Sequence, residues 1–226
     1  MEATVFWRSS KVWSVLTALC LAVSASAQTN FITDPSFELG TSKANGGWTA
    51  YNNAVLNSTP HPRTGTKSIR LPAEGTISAG AYETISNADF TAGVQFDLTA
   101  WGFLTNTMTT GYVGIEATFY NVTGTSTQNL GTVESGPGKD IISNHIDSNS
   151  VLNTWIALDT GVFTAPSTMP ISYIQVFPFN NNAGPIGTSA WIDDFSLVIV
   201  PEPSTIALGC MGLAGLVMGV RRRRKA

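Results

Sequence analysis

Val94-Gln95-Phe96-Asp97-Leu98-Thr99-Ala100-Trp101-Gly102-Phe103-Leu104 is the stretch whose pattern decides the fold. Successive side chains of an extended strand point to opposite faces, so Phe96, Leu98 and Ala100 share one side while Asp97, Thr99, Trp101 and Phe103 share the other. The same two-residue period recurs in Tyr112 to Tyr120, where Val113, Ile115, Ala117 and Phe119 oppose Glu116, Thr118 and Tyr120. It returns in Ser68 to Leu71, Trp155 to Phe163, Ile171 to Phe179 and Ala190 to Ile199, and more weakly in Ser36 to Leu39, Gly47 to Tyr51, Gly80 to Ile85 and Gly131 to Glu134. Between residues 30 and 199 no helical apolar period is sustained, and clusters of Gly, Pro, Asn and Thr separate the segments. Threonine, which suits exposed strand faces, occurs 25 times between residues 28 and 200. About eight to ten short strands without helices predict an all-β sandwich. Ser135 to Val151 is expected to be a loop or a poor strand, and Asn180-Asn181-Asn182 a turn.

Of 226 residues, 43% are hydrophobic and only 12% charged, about half the usual ~25%. That composition supports a real core and excludes wholesale disorder and a coiled coil. The chain's ends do not fit the strand pattern. Residues 1–27 carry Arg8 and Lys11, an apolar run from Val12 to Val23, then Ala25-Ser26-Ala27, the small-x-small pattern a signal peptidase needs. They read as a cleaved signal peptide, so the mature chain is expected to begin near Gln28. At the other end, the sixteen residues Thr205 to Val220 contain no charge, and Arg221 to Arg224 and Lys225 follow at once. Such a helix reaches roughly 24 Å, slightly short of the ~30 Å hydrocarbon core. We expect a transmembrane helix over 205–220 whose basic end stays cytoplasmic, so that residues 28–199 form one exported domain and residues 200–226 a tail.

At the junction stands Val200-Pro201-Glu202-Pro203-Ser204, a stiff, extended segment that a processing enzyme can hold at a membrane surface. Pro201-Glu202-Pro203, the short apolar helix and the terminal arginines resemble the PEP-CTERM sorting signal of diderm bacteria. The resemblance implies transient anchoring in the inner membrane, processing by an exosortase-type enzyme, and delivery to the cell surface or an extracellular polysaccharide matrix. Glu202 is then a recognition element of a substrate.

Both cysteines, Cys20 and Cys210, lie in the ends, so residues 28–200 have neither a disulfide framework nor a cysteine metal site. That exported portion holds thirteen acids against five bases, a net charge near −8, which repels nucleic acid.

Six stretches of the middle region stand in an order that resembles the galactose-binding-like jelly rolls, which include many carbohydrate-binding modules. They are Asp34-Pro35-Ser36-Phe37-Glu38, Gly46-Gly47-Trp48, Gly65 to Leu71, Val94 to Trp101, Trp155 with Phe163, and Ile192-Asp193-Asp194-Phe195-Ser196-Leu197. The resemblance implies a jelly-roll sandwich and a structural Ca²⁺ near the chain ends, held by Glu38 and Asp193 with backbone oxygen from Thr66 or Lys67. Six to eight hard oxygens would suit that ion.

Where a strand's second face mixes rings with hydrogen-bonding groups, it offers what a sugar requires, since C–H faces stack on aromatic rings and hydroxyls pair with polar side chains. Asp97, Trp101, Glu116, Tyr120, Tyr173 and Gln175 are the candidate sugar-binding residues, with Phe177 and Phe179 continuing the last strand's series. The alternative is that this second face packs on a neighbouring sheet, which would make Trp101 and Tyr120 core. Trp48, Trp155 and Trp191 are assigned to core or rim, and Tyr51, Asn52 and Asn53 to a possible loop site. No HExxH spacing, G-x-S-x-G elbow or phosphate-cradling loop occurs, and His61 and His145 are isolated. The expected function is non-catalytic binding of extracellular polysaccharide. The alternatives are a structural surface protein without a defined sugar ligand and a glycan-active enzyme using Glu116 and Asp97.

Overall fold

All but one of the alternating segments become strands. The computed structural model describes residues 28–39, 47–73, 77–134, 145–166, 170–181, 188–201 and 212. Its strands run in the order β1 (Trp48–Tyr51), β2 (Val55–Ser58), β3 (Ser68–Pro72), β4 (Ala79–Ile85), β5 (Gln95–Leu104), β6 (Tyr112–Thr123), β7 (Ser126–Glu134), β8 (Trp155–Thr164), β9 (Tyr173–Asn181) and β10 (Ser189–Val200). They form two five-stranded antiparallel sheets, β1-β4-β9-β6-β7 and β2-β3-β10-β5-β8. From β3 onward consecutive strands alternate between the sheets except at the β6–β7 hairpin, which stays within one, a two-sheet winding that resembles a jelly roll. The sandwich belongs to a unit spanning Thr29–Val200. The signal peptide and sorting helix expected from sequence lie outside the described residues, apart from Gly212. Among the described residues no helix is long and apolar enough to cross a membrane.

The inward faces are those the period assigned. Phe96 and Leu98 of β5, Val113, Ile115 and Ala117 of β6, and Ile174 and Val176 of β9 are all 0% exposed. Phe96, Phe119 and Phe163 pack together at centroid distances of 5.9 to 6.0 Å. A second aromatic group, Phe37, Trp48 and Phe195, closes one end of the core. In β10 the phase slips by one residue: Ala190 and Ile192 point inward, then Phe195 and Leu197. The cause is a β-bulge between Asp193 and Ser196 with Asp194 at φ 51°. The β6–β7 hairpin turns through Gly124-Thr125, and Gly124 at φ 62° meets the positive φ such tight turns require.

Three expectations need correcting. Ser36 to Leu39 is a turn, because the Asp34 carboxylate accepts the N–H groups of Glu38 and Leu39 while Phe37 adopts φ 55° and buries its ring. Asn180 and Asn181 continue β9; Asn180 is buried and donates to the Leu71 carbonyl at 3.1 Å. β2 was not foreseen, since only Leu56 of its four residues is a buried apolar side chain.

Glu83 stands out on the inward face of β4 at 2% exposure. Its Oε1 accepts the Thr33 N–H at 3.0 Å, and Oε2 has no partner among the described residues. Burial, with the nearby Asp34 charge adding, raises its pKa above 4.5 against the pull of Thr33. Folding therefore takes up a proton between the ordinary and the raised value, so this residue's effect is to lower stability as pH rises through that interval. The melting temperature of Glu83→Gln should exceed that of the wild type at neutral pH and converge with it near pH 4. Parallel melting curves across that range would overturn this account.

A tyrosine-lined candidate binding face

Since the core claims every inward position, side chains left for a ligand lie on the two outer faces. The outer face of the β1-β4-β9-β6-β7 sheet gathers four of the candidate residues. Register pairs Tyr173 with Tyr120, Gln175 with Thr118, and Phe177 with Glu116 across β9 and β6. The Tyr120 and Tyr173 rings stack at 4.8 Å with 22° between planes. Four residues along β9, Phe177 meets Tyr82 of β4 at 6.0 Å. Between these aromatic pairs runs a polar row. Gln175 Nε2 donates to Thr84 Oγ1 at 3.0 Å, Thr118 Oγ1 donates to Glu116 Oε1 at 2.7 Å, and Thr118 pairs with Thr132 at 2.9 Å. Tyr51, Tyr82, Glu116, Tyr120, Tyr173, Gln175 and Phe177 are all partly exposed. Burial raises the Tyr120 pKa, with Tyr173 and Glu116 adding to it.

Tyr51 reaches this face from β1 because Gly80 lets it. A Cβ at Gly80 would stand 2.3 Å from the Tyr51 hydroxyl and 2.7 Å from the Pro178 carbonyl oxygen. Burial pushes the Tyr51 phenol up to about 12, and the Glu116 charge adds to the effect. Neighbouring Asn52 and Asn53 sit at φ 49° and 60°, which explains their place in a turn. Tyr82, Thr84 and Thr132 were missed as site residues; the weak alternation of Gly80 to Ile85 was the one available signal for the first two. Gly80→Ala should cost roughly 1–3 kcal/mol and displace Tyr51. Tyrosine NMR titration should then show Tyr51 ionising at least about a unit earlier, whereas an unchanged midpoint would mean that Gly80 does not place it.

The remaining two candidates lie elsewhere. Asp97 and Trp101 are on β5, on the outer face of the opposite sheet, so the six residues cannot line one groove. Nor can Asp97 and Glu116 flank one bond as a pair of catalytic carboxylates. The Asp97 pKa is raised by burial and then by Asp159. Trp101 is not core; the Arg63 guanidinium covers its ring at 3.9 Å. Trp155, Phe103 and Trp191 form a row across β8, β5 and β10, and His61 stacks on Phe103 at 4.7 Å and meets Trp191 at 4.6 Å. The loop between β2 and β3 thus caps much of that face. Trp48 is core at 1% exposure, while Trp191 is buried beneath this loop.

The same loop gathers Glu38, Lys67 and Asp193. Glu38 Oε1 accepts the N–H groups of Thr66 and Lys67 at 2.7 and 2.8 Å, and Lys67 Nζ donates to the Glu38 carbonyl at 3.0 Å. Asp193 Oδ2 accepts the N–H groups of Arg63 and Thr64 at 2.7 and 3.1 Å, and Asp194 binds Arg63, Thr64 and Ser36 side chains. Burial pushes Asp193 up to about 6 despite these donors. Burial also works to raise Glu38, but the Thr66 and Lys67 donors outweigh it and leave its pKa lowered. The loop aims backbone N–H donors at the Glu38 and Asp193 carboxylates, the two side chains expected to hold Ca²⁺. Both carboxylates thus have backbone N–H partners in this arrangement. Chelator should leave the melting temperature unchanged; a fall of several degrees, reversed by Ca²⁺, would reinstate the metal.

Residues 200–225 match the family model described as the PEP-CTERM protein-sorting motif. That motif implies an exported, exosortase-sorted cell-surface protein. No curated protein matches the chain. Among solved structures the sandwich is similar to the CBM22-1 xylan-binding domain of Paenibacillus barcinonensis Xyn10C, at 16% identity and TM-score 0.45 over 78% of this chain and 99% of that one. It is also similar to the C-terminal family 22 carbohydrate-binding module of Clostridium thermocellum Xyn10B, at 16% identity and TM-score 0.46 over 78% and 99%. A third likeness is TmCBM61 in complex with β-1,4-galactotriose, at 16% identity and TM-score 0.44 over 76% and 99%. Likenesses of this grade carry no functional information about the chain.

Proposed function

We propose that the outer face of the β1-β4-β9-β6-β7 sheet binds a polysaccharide without catalysis, and that the chain carries this face to the cell surface or extracellular matrix of a diderm bacterium. The observation that supports the reading best is the stacked Tyr120–Tyr173 pair beside the Thr84-Gln175 and Thr118-Glu116 hydrogen-bonded pairs. Each ring of the stacked pair keeps one face turned away from its neighbour, which suits the C–H face of a pyranose, and the adjoining amide, hydroxyl and carboxylate supply donors and acceptors for its hydroxyls. The signal peptide and the Pro201-Glu202-Pro203 tail would bring the chain to signal peptidase and then to an exosortase-type enzyme at the inner membrane.

The test is affinity electrophoresis of the full chain against a polysaccharide panel. Replacing Tyr120 and Tyr173 together by Ala should weaken binding about tenfold or more, since losing one well-packed aromatic contact alone costs on the order of 1 kcal/mol. Asp97→Asn, on the opposite face, should bind as the wild type does. If Asp97→Asn abolishes binding and the tyrosine pair does not matter, the site is on the other sheet. If nothing binds, the structural surface protein is the better reading.

A further inference from the structure

Resting on the tyrosine face as a glycan site, we infer that its ligand is an uncharged polysaccharide, engaged over several sugar units laid along β9 and β6, and not an acidic one.

Charge carries the first part. The five strands of this sheet, WTAY, AGAYETI, YIQVFPFNN, YVGIEATFYNVT and STQNLGTVE, contain no lysine or arginine. Glu116 sits near the centre of the face, and the residue opposite it in register on β7 is again a glutamate, Glu134. The cations of the described residues stand on the other sheet's side: Arg63 and Lys67 in the loop before β3, Arg70 within it. Two of them are engaged there, Arg63 with Asp194 and Trp101, and Lys67 with Glu38. Lys43 and Lys139 lie outside the described residues. A uronate or sulfate is normally met by a guanidinium or ammonium, which forms charge-assisted hydrogen bonds with it. Here it would meet Glu116, and an exported body of net charge near −8 would repel a polyanion even before contact. Sugar hydroxyls, by contrast, can donate to the Glu116 carboxylate and accept from the Gln175 amide and the Tyr51 phenol.

Spacing carries the second part. Tyr173 and Phe177 are four residues apart on β9, roughly 13 Å along the strand. The Tyr120–Tyr173 pair and the Tyr82–Phe177 pair thus make two separate ring platforms, with the polar row between them. One sugar ring cannot cover both, whereas an oligosaccharide that stacks at each end lays its middle unit over Gln175 and Thr84.

The experiment uses the full chain in a non-glycosidic detergent with chelator present throughout. Isothermal titration compares neutral polymers (xylan, mannan, galactan, β-glucan) with acidic ones (polygalacturonate, alginate, hyaluronan) at low and high salt. The expected result is binding of a neutral polymer that salt barely changes, with no competition from its monosaccharide. Glu116→Lys should shift preference toward acidic polymers by about tenfold, while Glu116→Gln, which keeps the shape, should leave the neutral preference in place. A wild type that prefers acidic polymers, with binding lost in the Tyr120 and Tyr173 double variant, overturns the charge class while the glycan site stands. If that preference disappears on replacing Lys43 and Lys139 by Ala, those two residues are its source. Competition by the monosaccharide as strong as by the oligomer overturns the extended engagement. Binding of no polymer removes both this inference and the glycan reading beneath it.

Discussion

Everything in this molecule follows from burying one side of every strand. With no disulfide between residues 28 and 200, the sandwich rests on the inward series that meets at Phe96, Phe119 and Phe163 and on the sheet hydrogen bonds that hold it in register. A strand has only two sides, so this demand fixes what remains: each outward residue belongs to one of two faces separated by the full thickness of the sandwich, about 10 Å between sheets. Glu83 is the cost of one exception. Its carboxyl occupies an inward position, satisfied on one oxygen only.

The two outer faces have been put to different uses by their surroundings. On the β5 side the connection from β2 to β3 folds down over the sheet, drawn by the Asp193 and Asp194 carboxylates and by the ring of Trp101. The β10 bulge is what turns those two acids toward it, because the extra residue at Asp194 breaks the alternation just where the loop passes. Glu38 completes the clasp from the N-terminal side, tying the start of the domain to the same loop. Aromatic residues there are consumed in packing that loop. On the β6 side, partly exposed rings and polar groups keep surface free for contact.

How far this was visible in the sequence depends on whether a feature is local. Alternation is local, so β5, β8, β9 and β10 were readable within a residue or two and β6 within three, and the inward members named for β5 and β6 were correct. Strands with little apolar contrast were not: Val55–Ser58 places Val55 and Leu56 on opposite sides, exposed and buried. Ser36 to Leu39 misled because Phe37 is buried through a turn capped by Asp34, and burial alone does not distinguish a turn from a strand. The site was half readable. Period two showed that Asp97 and Glu116 both avoid the core, but which sheet each strand joins is a property of the winding, and between β5 and β6 the chain crosses from one sheet to the other. Any set of outward residues drawn from β5 and β6 together is therefore split by the fold itself.

That rule also explains why the surviving face is built from β4, β9 and β6, strands distant in sequence. Tyr82, Tyr173 and Tyr120 reach one surface only because β9 inserts between β4 and β6. Gly80 then acts at a distance from the central rings, since the absence of its side chain lets Tyr51 lean over β4 from the sheet edge. A recognition surface assembled this way is rigid, because each ring stands on a strand whose reverse side is locked in the core. It loses little conformational entropy on meeting a ligand. Such rigidity suits a fold that must hold its shape without disulfides, and under the proposed glycan reading the chemistry of the face, aromatic, hydroxyl-rich and free of cations along its strands, would select what it meets.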